Sequence, residues 1–388
     1  MRRRATLLLL ILVGACSRAT ATSTPTAPPS FPSAIATTDL ATPTHIAALT
    51  VEPHPTATRT AVPVPIASPT ATRRSVDLTA AEIETLRSLE QLDDYPLYTM
   101  RFAGPYLAET GSEPAIGTDP GSLGAGRATP GWGCSLFAAL GEPGSALFGR
   151  NFDWRYSPAL LLFTNPPDGY ASVSTVDIAY LGFDGDRAQG VAELALTERA
   201  PLLAAPLWPF DGMNERGLVV GMAAVPEARM PRDPDRPTLD SLRIIRELLD
   251  HAADVQEAVA LFQRYNIVWD GGPALHYLVA DPSGQAALIE FYDGEMAVLT
   301  NEKTWHAATN FLLGPAGDSA AGVCQRYDRI AAELDGNQGR LTAPGALALL
   351  EEVAQPNTQW SVVYGMDNGE LHVALGGDFQ RVHVLQLR

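Results

Sequence analysis

The spacing of apolar residues changes period along the chain, and each change marks an element. Residues 78–92 (LTAAEIETLRSLEQL) carry apolar side chains at helical spacing behind Thr79, a suitable cap, and predict a short helix. Residues 95–104 (YPLYTMRFAG) alternate with period two and predict a strand. A Gly- and Pro-rich stretch from Gly104 to Gly133 predicts a loop. Beginning at Cys134, SLFAAL and ALFGRNF flank the turn EPGS, the pattern of a hairpin. LLLFT, YASVSTVDIAYLG and LVVGMAAV predict further strands, and DSLRIIRELLDHA and VQEAVALFQRY predict two amphipathic helices. Residues 274–300 have the form of a three-stranded meander, to which TWHAATNF adds a fourth strand. The C-terminal part supplies helices near 323–334 and 343–353 and strands near 359–365, 370–375 and 381–387. Blocks of strands separated by helix pairs predict an α+β sandwich, with stacked antiparallel sheets between helical layers.

The first residues alter the picture of where this domain works. Arg2, Arg3 and Arg4 precede the apolar run ATLLLLILVGA and then Cys16, a secretory signal too short to remain as a spanning helix. Val13, Gly14 and Ala15 before Cys16 resemble a bacterial lipobox, whose cysteine receives a lipid. The expectation is an extracytoplasmic, membrane-anchored bacterial lipoprotein, at the cell surface or in the periplasm, touching the membrane only through that lipid. Residues 1–16 are then the signal with Cys16, and 17–75 a Thr/Pro-rich disordered tether with little apolar surface to bury. Residues 76–133, with a helix plus a strand, and residues 134–388, with the remaining elements, complete the chain.

Charge and cysteine usage remove other classes. The net charge is −17, yet residues 1–75 hold seven Arg against Asp39 and Glu52, so the body is more acidic than the whole. Such a body argues against nucleic acid as a partner. The three cysteines, Cys16, Cys134 and Cys324, show no CxxC spacing and there is no HExxH, which argues against a zinc site. No cofactor is expected.

The chemistry is concentrated in CSLFAALGEPGSALFGRNFDW, where a cysteine starts one strand and Arg150, Asn151 and Asp153 end the next. A tight hairpin folds these termini together, so a cation and a carboxylate come beside the thiol. A guanidinium favours thiolate, and a carboxylate can hold an amine or a water. On the pattern alone, an ordinary Arg150–Asp153 ion pair beside a small core cysteine is an equal reading.

This segment resembles the start of the choloylglycine hydrolase and penicillin acyltransferase families of N-terminal-nucleophile (Ntn) cysteine hydrolases, whose mature chains begin with Cys and carry Arg-Asn-x-Asp. The similarity continues through GMNERGLVVGM, HYLVADPSGQAALIEFYDGE, ATNF and CQRYD, in the family's order. The resemblance implies an Ntn-hydrolase αββα sandwich over 134–388, the catalytic domain, with 76–133 as its pro-segment. It makes Cys134 the nucleophile, uncovered by self-cleavage after Gly133, with its liberated α-amine as base, Asp153 holding that amine and Arg150 near the thiol. It places the side-chain amide of Asn310 and the backbone N–H of Ala224 in the oxyanion hole, and Arg326 in support. Asn301 competes with Asn310 for that role, and the strand-end context of ATNF favours Asn310. Bile-salt hydrolases have Asn, and penicillin V acylases Tyr, at the position aligned with Ala224, which puts both substrates in doubt.

Other residues carry plainer readings. Asn214 is a turn residue, His276 and His306 are packed or edge histidines, and Cys324 is a buried free thiol. Trp154, Trp208 and Phe210 read either as an acyl pocket or as core. The expected activity is hydrolysis of a linear amide in an N-acylated small molecule through an acyl-thioester on Cys134. Acyl transfer to an amine by the same thioester, and a non-catalytic solute-binding lipoprotein, are the alternatives.

Overall fold

Apolar side chains on both faces of the hairpin that starts at Gly133 bury it on two sides, and the rest of the fold is arranged around it. The computed structural model describes residues 77–106, 133–228, 232–269 and 272–387. The signal and Cys16, the tether and most of the loop expected before Gly133 lie outside the described residues.

In chain order the N-terminal segment gives α1 (Ala80–Arg87), β1 (Glu90–Asp93) and β2 (Leu97–Arg101). The hairpin is β3 (Gly133–Ala139) and β4 (Leu147–Asp153), followed by β5 (Ala159–Thr164) and β6 (Ser172–Asp177). A run of 3-10 turns with the single helical turn α2 (Leu196–Arg199) leads to β7 (Asp211–Asn214) and β8 (Val219–Ala224). Then come β9 (Thr238–Asp240), α3 (Arg243–His251), α4 (Val255–Arg264), β10 (Asn266–Val268), β11 (Leu275–Ala280), β12 (Ala286–Tyr292), β13 (Glu295–Thr300) and β14 (Trp305–Ala308). Last are α5 (Leu313–Ala316), α6 (Gln325–Gly336), α7 (Ala343–Glu352), β15 (Thr358–Gly365), β16 (Glu370–Leu375) and β17 (His383–Gln386).

The strands form a nine-stranded sheet, β1-β2-β5-β6-β7-β8-β11-β12-β13, and a six-stranded sheet, β14-β3-β4-β15-β16-β17; β14, expected as a fourth strand of the β11–β13 meander, instead crosses to the smaller sheet and pairs with β3. Helices α3 and α4 pack on the outer face of the larger sheet, and α6 and α7 on that of the smaller. The inner faces meet where β3 packs on β8. The sheets approach closely there: a Cβ on Gly221 would lie 2.5 Å from Leu136 Cδ2. This is the expected α+β sandwich of four layers. Its ladders are antiparallel except the β2–β5 pair, which is parallel, and the short parallel pair β9–β10. β2 arrives from the N-terminal segment and inserts beside β5.

Two departures from the sequence pattern have local causes. The helix expected over 78–92 starts as read, with Thr79 and Glu82 forming a reciprocal capping box. It stops at Arg87, where the Ser88 hydroxyl donates to Thr85 O at 2.6 Å and lies 3.0 Å from Arg101 O, so the next residues join a strand pair instead. The strand expected over 170–182 ends at Asp177, whose carboxylate caps a 3-10 turn by accepting from Ala179 N. The segment that follows, up to Leu207, has no strand period, because its apolar residues cover a second core. There Leu86, Tyr98 and Met100 pack with Leu160, Leu162, Val176, Ile178, Phe183 and Leu202.

Candidate active site

Antiparallel pairing sets the faces of the hairpin, and the faces sort its motif residues. Cys134 lies opposite Phe152, and Leu136 opposite Arg150, so the thiol and the guanidinium are diagonal neighbours on one face. That face also carries Trp360, opposite Phe152, and points into the core between the sheets. Asn151 points the other way: its Nδ2 donates to Leu350 O at 2.8 Å and its Oδ1 accepts from Ser361 Oγ at 2.6 Å, which ties α7 to the sheet. Asp153 ends the strand beside Gly133, where a Cβ on the glycine would lie 2.9 Å from Asp153 Oδ2. Thr358 Oγ1 donates to the other oxygen, Oδ1, at 2.5 Å.

The residues named from the sequence meet around the backbone of Cys134. Its N–H donates to Asn310 Oδ1 at 2.7 Å. Arg326 donates from Nη1 to the Cys134 carbonyl and to Ser135 Oγ, and from Nη2 to Asn310 Oδ1 at 2.9 Å. The same Nη1 lies 4.0 Å from Asp153 Oδ2. Asn310 Nδ2 donates to the carbonyl of Ala224 at 2.8 Å. In this continuous chain the Ala224 contact to Asn310 is therefore its C=O, and the amide expected to face an oxyanion is engaged.

The Arg150–Asp153 ion pair of the alternative reading does not form. Arg150 instead donates from Nη1 to Phe210 O and to Asp211 Oδ2. Asp211 and Thr358 lie 61 and 205 residues from their partners and had no signal in a local motif. Of the competing residues, Asn301 sits elsewhere, bonding Gly284 O, Lys303 O and Ala286 N. Asn214 is a turn residue: its Oδ1 accepts from Arg216 N and Leu218 N, while its Nδ2 holds Leu249 O and Ala252 O at the end of α3.

Burial dominates the electrostatics. It raises the Cys134 thiol above its ordinary value; the Arg150 charge opposes this and Asp153 adds to it. Burial also lifts Asp153 to about 6, against the lowering effects of Thr358, Arg326 and Arg150. Asp153 Oδ2 finds no hydrogen-bond donor among the described residues, nor do Arg150 Nε and Nη2 find an acceptor. Cys134 and Cys324 are both free thiols, the first buried and the second half-buried. His276 bonds Glu290 Oε1 at 3.0 Å and Thr309 O at 2.7 Å, and His306 bonds Leu299 O at 2.8 Å, so both are packed. The aromatic residues are packed too, with Trp208 stacked on Tyr180 and Phe152 on Trp360.

Residues 134–313 match the family of linear amide C–N hydrolases, choloylglycine hydrolase family. A penicillin V acylase from Pectobacterium atrosepticum is 28% identical over 131 residues, which are 31% of this chain and 34% of that protein. The chain thus spans about a third of the length of that curated relative. A mutant conjugated bile acid hydrolase from Clostridium perfringens superposes with TM-score 0.48 at 15% identity, covering 65% of this chain and 92% of the other. For a penicillin V acylase from Agrobacterium tumefaciens the values are 0.45, 17%, 65% and 84%.

Proposed function

We propose that this chain, whose residues 134–313 belong to the linear amide C–N hydrolases of the choloylglycine hydrolase family, is a self-processed amidohydrolase with Cys134 as nucleophile. The observation that carries this reading is the convergence of Asn310 and Arg326 on the Cys134 backbone, with Arg150 on the thiol's own strand face. A small core cysteine needs none of them.

Processing comes first. The Cys134 sulfur attacks the Gly133 carbonyl carbon, the C–N bond breaks, and Gly133 becomes a thioester while the Cys134 nitrogen takes a proton and becomes an amine. Water then hydrolyses the thioester, leaving a Gly133 carboxylate and a free thiol. Gly133 suits this position because a side chain would press on Asp153. The new α-amine, whose ordinary pKa is near ~8, then serves as base at neutral pH. Asn310 Oδ1 already accepts from that nitrogen, and Asp153 Oδ2, which has no donor among the described residues, is the proposed second acceptor; a positive amine beside it would draw the carboxyl back down from about 6.

Turnover follows the same chemistry. The amine takes the thiol proton, the sulfur attacks the amide carbon of the substrate, and the proton passes to the leaving amine. Asn310 Nδ2, once released from Ala224 O, and the Ala224 N–H are the proposed donors to the oxyanion. Water frees the acyl group. The aromatic residues packed beside Cys134, Phe152 with Phe210 and Trp360, support an apolar acyl part in an N-acylated small molecule. The signal sequence supports an extracytoplasmic site held by the Cys16 lipid.

Mass spectrometry of purified protein with a panel of N-acyl amides tests the reading. Wild type should yield a chain beginning at Cys134 and release free acid, or an acylated amine if an added acceptor competes with water. Cys134→Ala should stay whole and inactive. An active protein intact across Gly133 and Cys134 would overturn the processing step.

A further inference from the structure

A buried carboxylate that no step above uses lies behind Arg150. Asp211 is fully buried at the start of β7 in the larger sheet, while Arg150 is fully buried on β4 in the smaller one, so their ion pair crosses the gap between the sheets. The carboxylate is itself fixed from the smaller sheet. Tyr364 donates its hydroxyl to Asp211 Oδ1, and Trp360 Nε1 donates to Oδ2 at 3.3 Å; both donors are on β15. Phe210 O, next along the chain, accepts from the same Arg150 Nη1 as Asp211 does. One end of the guanidinium is thus tied down by two acceptors. Its Nε and Nη2 have no acceptor among the described residues.

We propose that Asp211 is a positioning residue for Cys134: braced by Trp360 and Tyr364, it grips one end of Arg150 so that the remaining donors stay on the thiol's face of the hairpin. This rests on Cys134 being the reactive thiol. Without the grip, an arginine side chain has several rotatable bonds and no reason to keep its charge on that face. Arg150 is the charge that offsets the cost of ionising this buried thiol, while the Asp153 charge acts against it and Arg326 lies nearer to Asp153. Displacing Arg150 therefore makes the thiolate scarcer.

The test is the rate of alkylation of Cys134 by iodoacetamide in the full chain, followed across pH and read on the Cys134 peptide so that Cys324 does not interfere. Asp211→Ala should slow the reaction at neutral pH about tenfold, with the midpoint moved up by about one unit. Asp211→Asn keeps an acceptor for Nη1 and should stay within about threefold of wild type, the rescue expected for a positional role. In an Arg150→Met background Asp211→Ala should add nothing, because its effect passes through Arg150. Wild-type alkylation of Asp211→Ala, an equal fall in both backgrounds, or an Asn variant as slow as Ala would each overturn the proposal. If Asp211→Ala does not fold, Tyr364→Phe decides: a two- to threefold fall supports the brace and an unchanged rate overturns it. Alkylation requires no amide turnover. A panel of amides left intact beside a slowed Asp211→Ala would sink the proposed reaction and leave this inference standing.

Discussion

Among the described residues two arginine–carboxylate pairs are buried and look alike in isolation. Arg150–Asp211 has both side chains at 0% exposure, and Arg246–Asp250 has 2% and 1%. In each, two guanidinium nitrogens lack an acceptor among the described residues. Their settings differ. Arg246 and Asp250 are four residues apart on α3, and the pair receives the Tyr106 hydroxyl on Asp250 Oδ1 at 2.7 Å and reaches Ser172 Oγ at 2.6 Å. It fastens the end of the N-terminal segment to the body. Arg150 and Asp211 come from different sheets and sit beside a thiol. Burial of a charge pair is thus a statement about folding, and only the neighbour makes it one about chemistry.

The sharpest way to break this contrast is to remove each arginine. Arg150→Met and Arg246→Met should each cost about 3–5 kcal/mol in stability, since each strands a buried carboxylate. Only the first should abolish hydrolysis in the fraction that remains folded, by about a thousandfold or more; equal losses of specific activity would erase the distinction. Asn310→Ala, which removes one proposed oxyanion donor without touching either pair, should lower kcat by about 100- to 1,000-fold. A fall confined to KM would place Asn310 in binding instead.

A pH experiment tests the carboxylate next to the cleavage point. In the continuous chain burial raises Asp153 from 3.8 to about 6, so the folded state binds this proton more tightly than the unfolded one. Its contribution is then full below about pH 4 and is lost as pH rises through about 6. Uncleaved Cys134→Ala should accordingly gain stability on acidification across that window. Adding Asp153→Asn should flatten the gain, although Asp177, lifted by burial to about 7, and Asp250, also raised, will leave some slope. Denaturant midpoints at several pH values measure it, and parallel curves would refute the assignment. The smallest effect is expected at the other pair: Tyr106→Phe should cost about 1–2 kcal/mol with unchanged turnover.

What the sequence made legible divides along the same line as the two pairs. The hairpin from Cys134, the faces of α3 and α4 and the meander after Ala274 were readable because period and turn residues are local. Cys134, Arg150 and Asp153 fell within one such motif, and Asn310 and Arg326 came from a resemblance spread over the domain. Asp211, Thr358, Trp360 and Tyr364 were not readable, since they reach the site by strand pairing and sheet stacking across long stretches of chain. The alternative reading of an Arg150–Asp153 pair gives way for that reason: a carboxylate on the opposite sheet, invisible to spacing, takes the guanidinium. The resemblance pointed to the Ala224 N–H as a donor, and the contact Ala224 makes with Asn310 in the continuous chain is through its carbonyl.

The parallel ladder between β2 and β5 has a consequence for how the protein would leave a membrane. β2 pairs from Leu97 to Arg101 with Ala159 to Phe163, and its own Tyr98 and Met100, with Leu86 of α1, are fully buried against the body. Once the bond after Gly133 is cut, the proposed lipid and the nucleophile reside on separate polypeptides, and the rate of their parting is set by core opening, because the strand cannot slide out without it. Shedding then becomes an unfolding rate, steep in temperature and indifferent to dilution. A washed membrane should keep its activity until heat or denaturant takes the fold apart.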